Sequence, residues 1–162
     1  MKTLLLMRHA KSDWGDTSLR DFDRPLAERG ERDAPRMARA LKERGPLPDL
    51  IISSPAARAR QTSEAVIASA GLGASLEFEG SIYEASTAEL MKVVRGIPDA
   101  SGCAMMVGHN PGFEGLVARL SGAGERMPTA AIACIEFDVD GWEDVEDGRG
   151  RLKWLMTPRS LP

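Results

Sequence analysis

The chain contains two histidines, His9 and His109, and each follows an apolar run after one further residue. The runs, residues 3–7 and 103–107, are typical of strands buried on both faces of a parallel sheet. If these strands are parallel neighbours, the two imidazoles converge at one sheet edge, where ligands bind in such folds. A single histidine there is more often a hydrogen-bonded structural residue. The pair therefore indicates a site more strongly than either residue does alone.

Two arginines are predicted at the same edge. Arg8 precedes His9, and Arg58 falls in the first turn of the helix expected after residues 50–53. The macrodipole favours anions at a helix start, so an arginine there indicates an anion bound between the guanidinium and the helix N-terminus. Two guanidinium groups and two imidazoles suit an oxyanion of the phosphate type. A salt bridge to an aspartate of residues 10–25 is the alternative for either arginine.

The elements that position these residues alternate along the chain. Continuous apolar runs predict strands near residues 3–7, 50–53, 76–78, 103–107, 130–137 and 151–156. Apolar residues at helical spacing lie between most of them. This alternation predicts an α/β three-layer sandwich, with a mainly parallel central sheet flanked by helices. The length of 162 residues fits a single domain spanning residues 1–162.

The start of the first helix is ambiguous. Pro35 either kinks a helix that begins near Ala27 or lies close to a start capped by Asp33. A later helix has a clearer signal, because Ser86 and Glu89 have the spacing of a capping box. The sequence therefore leaves two possible starts for the first helix and one for the later helix.

Two further helix starts carry a cap residue followed by proline. Ser54-Pro55 and Asn110-Pro111 both fit a pattern in which the first residue caps the helix and proline occupies its first position. The sequence therefore predicts that these helices begin at Pro55 and Pro111.

Composition limits the function classes. The chain is 43% hydrophobic and 28% charged, close to the average for globular proteins. No apolar run approaches the ~18 residues of a membrane span, and the N-terminal run is too short for a signal-peptide core, so a cytoplasmic protein without membrane association is expected. The net charge of −3 does not favour non-specific binding of nucleic acid, and no nucleic-acid partner is predicted.

No metal or other cofactor is predicted. The aspartates of residues 10–25 do not fit a calcium loop, and two histidines without nearby cysteines or paired carboxylates make a poor zinc site. Cys103 and Cys134 lie inside apolar runs without metal-ligand spacing, so we interpret them as small buried residues.

Three segments resemble the site motifs of the histidine phosphatase superfamily, which has the phosphoglycerate-mutase-like fold. They are LLLMRHA at residues 4–10, SSPAARA at residues 53–59 and VGHNP at residues 107–111. The segment DRPL at residues 23–26, followed by Gly30, is also similar to the stretch after the first motif. The resemblance covers residues 2–157. Arg-His-Ala in place of the more usual Arg-His-Gly resembles the small bacterial phosphohistidine phosphatases.

The resemblance implies roles for the predicted site residues. His9 is the expected nucleophile, forming a phosphohistidine intermediate that water hydrolyses. Arg8, Arg58 and His109 are expected to hold the phosphoryl oxygens, and Asn110 is included in the predicted phosphate-binding set. Physical chemistry agrees for His9, because adjacent guanidinium groups disfavour its protonation and keep its pKa at or below about 6.5.

The proton donor is a separate prediction. Glu84, by its position after the third strand, matches the acid of the family, although the local motif is degenerate and a surface glutamate is the alternative. An alkoxide leaving group needs a general acid, which normally contributes ~10²–10⁴ in rate. A phosphorylated imidazole can instead be protonated by solvent, so the importance of Glu84 is expected to depend on the substrate.

The combined expectation is a metal-independent phosphatase that acts through His9, with protein phosphohistidine as substrate. Between Glu79 and Ser86 there is no room for the insertion with which larger mutase relatives enclose a metabolite. The alternatives are a phosphomonoesterase or mutase acting on a small phosphorylated molecule, and a non-catalytic phosphate-binding regulatory module.

Overall fold

Six strands form one sheet in the computed structural model, which describes all 162 residues. In chain order they are β1 (Lys2–Arg8), β2 (Leu50–Ser53), β3 (Ser75–Phe78), β4 (Cys103–Gly108), β5 (Ile132–Phe137) and β6 (Arg151–Met156). The order across the sheet is β3-β2-β4-β1-β5-β6. Strands β3, β2, β4 and β1 are parallel to one another, whereas β5 is antiparallel to both β1 and β6. The predicted α/β fold with a mainly parallel sheet is confirmed.

Four helices cover the two faces of this sheet. They are α1 (Glu28–Arg44), α2 (Ala57–Ala70), α3 (Thr87–Arg95) and α4 (Gly112–Ser121). Alternate residues of β1 face opposite sides, so Leu4 packs in the core under α3 and α4, and Leu5 packs in the core under α1 and α2. Burial on both faces explains why β1 is continuously apolar. None of the four helices has the length and apolarity needed to cross a membrane.

Strand register brings the predicted site together. Arg8 at the end of β1 is paired with Gly108 at the end of β4, and Ser53 at the end of β2 is paired with Val107. The segments that leave these three strands therefore start from one edge of the sheet. Because β6 runs in the same direction as β1, its C-terminal end and the N-terminal start of β5 lie at this edge too.

The first helix begins at Glu28, so the earlier of its two predicted starts is correct and Pro35 lies inside α1. The buried Asp33 is not a cap; it pairs with arginines of the same helix. The N-terminal turn of α1 contacts the segment that follows His9. A Cβ on Gly30 would lie 2.2 Å from the carbonyl oxygen of Lys11, so only glycine permits this approach.

The two cap-then-proline predictions are wrong by one or two residues. Helix α2 begins at Ala57 and α4 begins at Gly112, each after a short non-helical segment. The hydroxyl of Ser54 accepts from the backbone of Ala56, and the side-chain oxygen of Asn110 accepts from the backbone of Glu114. Both polar side chains thus support the helix starts, but from outside the helices. The capping box of Ser86 in α3 is confirmed.

The cysteines have the predicted environment. Cys134 is buried, Cys103 is partly buried, and both are free thiols. Burial raises the pKa of Cys103 to about 12 and that of Cys134 to about 11. Both side chains are therefore neutral at physiological pH and are poor nucleophiles.

Candidate active site

The imidazole of His9 is fixed in one tautomer. Its Nδ1 lies 2.7 Å from the carbonyl oxygen of Ala10, which can only accept a hydrogen bond, so Nδ1 carries the proton. The lone pair is then on Nε2. The backbone is held as well, because the His9 amide donates to Gly108 and its carbonyl accepts from Ala130. His9, which is only 7% exposed, is thus held by hydrogen bonds of both its ring and its backbone.

The protein strongly disfavours the protonated form of His9. Burial is the main cause, and electrostatic repulsion from His109, Arg58 and Arg8 acts in the same direction. The hydrogen bond to Ala10 opposes them but does not prevail. The pKa is lowered to about 3, so the ring is neutral throughout the physiological range. This agrees with the sequence-based expectation of a neutral imidazole.

Arg58 connects His9 to the loop before α1. It is the second residue of α2, and its side chain is only 7% exposed. Its Nε lies 3.4 Å from Nε2 of His9, and its terminal nitrogens donate to the backbone oxygen of Asp21 at 2.7 Å and to the carboxylate at 3.0 Å. The site position and the alternative salt bridge predicted for Arg58 are therefore both present.

Asp21 is a residue whose place in the site the sequence did not reveal. Its carboxylate also accepts hydrogen bonds from Arg24 and, at 2.7 Å, from the hydroxyl of Tyr83. Burial favours the neutral carboxyl, but hydrogen bonds from Tyr83, Arg24 and Arg58 outweigh it and hold the pKa of Asp21 well below its usual range. Burial and Asp21 together raise the pKa of Tyr83 to about 12, so Tyr83 remains a donor.

His109 lies beside His9, with 5.2 Å between the ring centroids. Its Nε2 is 2.7 Å from the hydroxyl oxygen of Ser54, and its Nδ1 is buried without a hydrogen-bond partner in the protein. Burial, followed by Arg58, lowers the pKa of His109 to about 4 although the charge of Asp21 opposes this shift. A neutral His109 therefore has one nitrogen held by Ser54 and the other available to a ligand.

Arg8 is positioned by the segment between α4 and β5. Its Nη1 donates to the carbonyl oxygen of Met127 at 3.1 Å, whereas its Nε is buried without a partner in the protein. The same carbonyl accepts from the side-chain amide of Asn110, and the Met127 amide donates to Glu114. Asn110 thus helps to hold Arg8 in place, and its predicted contact with phosphate stays a prediction.

A cavity of about 510 Å³ opens beside these residues. Its wall includes Asp21, Arg58, Tyr83, Glu84, His109 and Asn110. Arg8 and His9 are not on this wall, but both are linked to residues that are: His9 contacts Arg58, and Arg8 donates to the same Met127 carbonyl as Asn110. Glu84 is exposed, has a positive φ of 55° and makes no hydrogen bond within the protein. Its position beside the site fits a proton donor but does not assign that role.

The arrangement suits displacement at a tetrahedral oxyanion. It combines an unprotonated imidazole nitrogen, a buried guanidinium beside that nitrogen, and two buried nitrogens on Arg8 and His109 that have no partner in the protein. Buried polar nitrogens are normally hydrogen-bonded, so two of them without a protein partner suit contact with a ligand or with ordered water. No three His, Cys, Asp or Glu side chains are grouped so as to hold a metal ion.

Sequence comparison identifies a family that matches more than half of the chain. A model of the histidine phosphatase superfamily (branch 1) matches residues 4–95. An uncharacterized chloroplastic protein of Arabidopsis thaliana is 37% identical over an alignment of 173 residues, which covers 98% of this chain and 79% of the relative.

Structural comparison extends the similarity over nearly the whole chain. A protein histidine phosphatase SixA complexed with tungstate superimposes with a TM-score of 0.85 at 25% identity, covering 99% of both chains. A SixA protein of Agrobacterium tumefaciens, provisionally assigned as a phosphohistidine phosphatase, gives a TM-score of 0.82 at 30% identity and covers 97% of this chain and 98% of its own.

Proposed function

Because the chain belongs to the histidine phosphatase superfamily, we propose that it is a phosphatase that removes phosphoryl groups from protein phosphohistidine through Nε2 of His9. The observation that carries the proposal is the locked tautomer of His9: Nδ1 donates to Ala10, so Nε2 keeps its lone pair beside Arg58. The similarity to a protein histidine phosphatase supports the substrate class.

In the first step, Nε2 of His9 attacks phosphorus, and the bond between phosphorus and the imidazole of the substrate breaks. The leaving imidazole takes a proton on its other ring nitrogen. In the second step, water attacks the phosphorylated His9, the bond between phosphorus and Nε2 breaks, and inorganic phosphate leaves. The low pKa of His9 serves the first step, because the ring needs no base to remove a proton from Nε2.

Arg58, Arg8 and His109 supply hydrogen-bond donors around the transferred group. A charge-assisted hydrogen bond contributes about 1.5–3 kcal/mol, and donors that are already oriented need not reorganise during the reaction. His109 has a requirement opposite to that of His9. The phosphoryl charge favours the protonated form of His109, so substrate binding raises its pKa from the value of about 4 in the free protein.

Glu84 serves as the proton donor only for substrates whose leaving group needs one. Its exposed carboxylate on the cavity wall has access to a leaving-group oxygen. An imidazole leaving group is protonated by solvent and does not depend on this residue. Loss of Glu84 should therefore slow hydrolysis of phosphate esters far more than hydrolysis of phosphohistidine.

A protein-borne substrate fits the surroundings of the cavity. Only the short turn Gly80–Ile82 and a few residues separate β3 from the start of α3, and no inserted segment covers the site. An open site admits a phosphorylated side chain that a partner protein presents. We place this reaction in the cytoplasm without a metal cofactor, in line with the free thiols of Cys103 and Cys134.

Phosphate release from three substrates tests the proposal. A peptide carrying phosphohistidine, the same peptide carrying phosphoserine, and a small aryl phosphate are compared with the wild-type protein and with His9→Ala. We expect the highest kcat/KM for phosphohistidine and loss of turnover to background in His9→Ala. A preference for the aryl phosphate would favour the small-molecule phosphomonoesterase. No turnover with any substrate in either protein would indicate a binding module.

A further inference from the structure

A second cavity lies at the same sheet edge, over the antiparallel end of the sheet. Its volume is about 550 Å³, and we call it the arginine groove. Residues from α1, from the segment before β5 and from the turn after β6 line it, chiefly Arg29, Asp33, Arg36, Thr129, Thr157 and Arg159. Apart from two prolines, no apolar side chain lines the groove. Its chemistry therefore suits a charged and hydrated ligand rather than an apolar one.

The groove carries more positive than negative charge. Asp33 is its only carboxylate, and its side chain, 12% exposed, lies 3.2 Å from Arg36 and 3.9 Å from Arg29. Arg159 is exposed and forms no ion pair. The lining thus includes one buried carboxylate and three arginines, of which Arg29 and Arg36 have side chains that are 58% and 39% exposed. Unused donors on exposed arginines are suited to bidentate contacts with carboxylates.

The groove is close to the catalytic cavity along the edge. Thr129 is adjacent to Ala130, whose amide donates to the carbonyl oxygen of His9. Strand β6 is two positions from β1, which corresponds to about 10 Å at the usual spacing of ~4.8 Å. An extended peptide spans such a distance with about three residues. A polypeptide whose phosphorylated side chain occupies the cavity can therefore reach the groove with residues a few positions away.

We propose that the arginine groove binds an acidic segment of the phosphoprotein substrate, three to six residues from the phosphorylated histidine. The inference rests on the proposed function and adds a recognition surface to it. Three guanidinium groups along one open groove suit several carboxylates carried by a chain, and Asp33 repels an anion that enters deeply. Exposed charges of this kind mainly accelerate association and weaken as salt rises.

Two synthetic phosphohistidine peptides of equal length test the proposal. One carries aspartates three to six residues from the phosphohistidine, and its counterpart carries asparagines at those positions. At about 50 mM salt we expect the wild-type protein to show a kcat/KM at least ~10-fold higher for the acidic peptide, and this preference to shrink at about 500 mM salt. The difference should appear in KM, with kcat unchanged, because the groove does not touch the reacting atoms.

Variants then assign the preference to the groove. Arg159→Gln leaves the partners of Asp33 in place and should reduce the preference about threefold, whereas the triple variant Arg29→Gln, Arg36→Gln and Arg159→Gln should abolish it. Arg32→Gln is the matched control, because Arg32 is exposed on α1, outside the groove and without an ion pair. The control should keep the full preference, and turnover of the neutral peptide should be the same in all variants.

The outcomes separate this inference from the proposed function. Equal kcat/KM for the two peptides in the wild-type protein would overturn the groove proposal while leaving phosphohistidine hydrolysis established. A preference that Arg32→Gln lowers as much as Arg159→Gln would also overturn it, because general surface charge would then be the cause. Failure to hydrolyse either peptide would contradict the proposed function itself.

Discussion

The catalytic cavity and the arginine groove use the same side chain in two physical settings. The side chain of Arg58 is 7% exposed and is hydrogen-bonded to both His9 and Asp21, whereas the side chain of Arg29 in the groove is 58% exposed. A buried guanidinium has one position and acts on charge that develops at a fixed atom. An exposed guanidinium is mobile and screened, so it attracts a partner without defining where its atoms lie. Burial thus suits Arg58 to the proposed catalytic role, and exposure suits Arg29 to the proposed recognition of a partner.

Substitution of the buried arginine should give the largest difference between the two regions. We expect Arg58→Ala to lower kcat on phosphohistidine by about 10²–10³-fold, the usual effect of removing one transition-state donor. Arg60→Ala is the matched control, because Arg60 lies two residues further along α2, is exposed and pairs only with Glu64. Steady-state kinetics on both variants makes the comparison. A loss of kcat below tenfold for Arg58→Ala would contradict the role of Arg58 as a transition-state donor.

A second substitution tests the wall of the catalytic cavity. Glu84→Gln should slow hydrolysis of an alkyl phosphate by about 10²-fold, because the alkoxide loses its general acid. Turnover of phosphohistidine should change less than threefold, since solvent protonates the leaving imidazole. Parallel kcat measurements on the two substrates give the ratio. Equal losses on both would remove Glu84 from the role of proton donor.

The first turn of α1 links the catalytic cavity to the arginine groove, because Gly30 contacts Lys11 of the segment after His9 and Arg29 lines the groove. Gly30→Ala should destabilise the protein by about 1–3 kcal/mol, because the added Cβ lies 2.2 Å from a backbone oxygen. Thermal unfolding measures the effect. Gly73→Ala is the control, since a Cβ there meets no atom within 4 Å, and its stability should stay within about 0.5 kcal/mol of wild type.

The protonation of the two histidines gives the smallest but most direct signal from the catalytic region. With pKa values of about 3 and about 4, neither His9 nor His109 should titrate between pH 5 and 8 in NMR spectra of the free protein. Inorganic phosphate should raise the pKa of His109 and leave His9 neutral. A titration of either ring near pH 6.5 without phosphate would show that the site is more hydrated than its geometry implies.

The lowered pKa values of the two histidines also determine the direction in which the free energy of unfolding changes with pH. The unfolded chain binds protons at its histidines near pH 6.5, whereas the folded chain does so only near pH 4 and below. The free energy of unfolding should therefore fall as pH decreases from about 6.5 towards 4, by at most about 1.4 kcal/mol per pH unit for each histidine. The contribution of Asp21 is lost mainly below this window, because its carboxyl takes up a proton near pH 3.9 in the unfolded chain and at a lower pH in the folded protein.

The sequence was sufficient to predict the sheet and the gathering of Arg8, His9, Arg58 and His109. Strands made of continuous apolar residues can be recognised in the sequence. The residues that follow such strands must share one edge of the sheet when the strands are parallel. The start of α2 was misplaced by two residues, because the cap pattern does not show that the Ser54 hydroxyl contacts His109 as well as the backbone of Ala56. A cap pattern predicts the backbone of neighbouring residues but not the contacts that a side chain makes with distant residues.

The remaining parts of the site depend on contacts between distant segments. Asp21 was one of four similar aspartates in a polar loop, and nothing local distinguishes the one that Arg58 and Tyr83 contact. The arginine groove combines α1 with the turn after β6, more than 100 residues later. Side-chain packing decides such pairings, and periodicity carries no information about them.

Rapid quench with a labelled phosphohistidine peptide can detect a phosphoryl group on Nε2 of His9. We expect an early, acid-labile and base-stable label on the protein, located by mass spectrometry on His9 and absent in His9→Ala. Spectroscopy should place it on Nε2, because Nδ1 is bonded to Ala10. Release of phosphate without any labelled protein, or label on His109, would contradict the proposed mechanism.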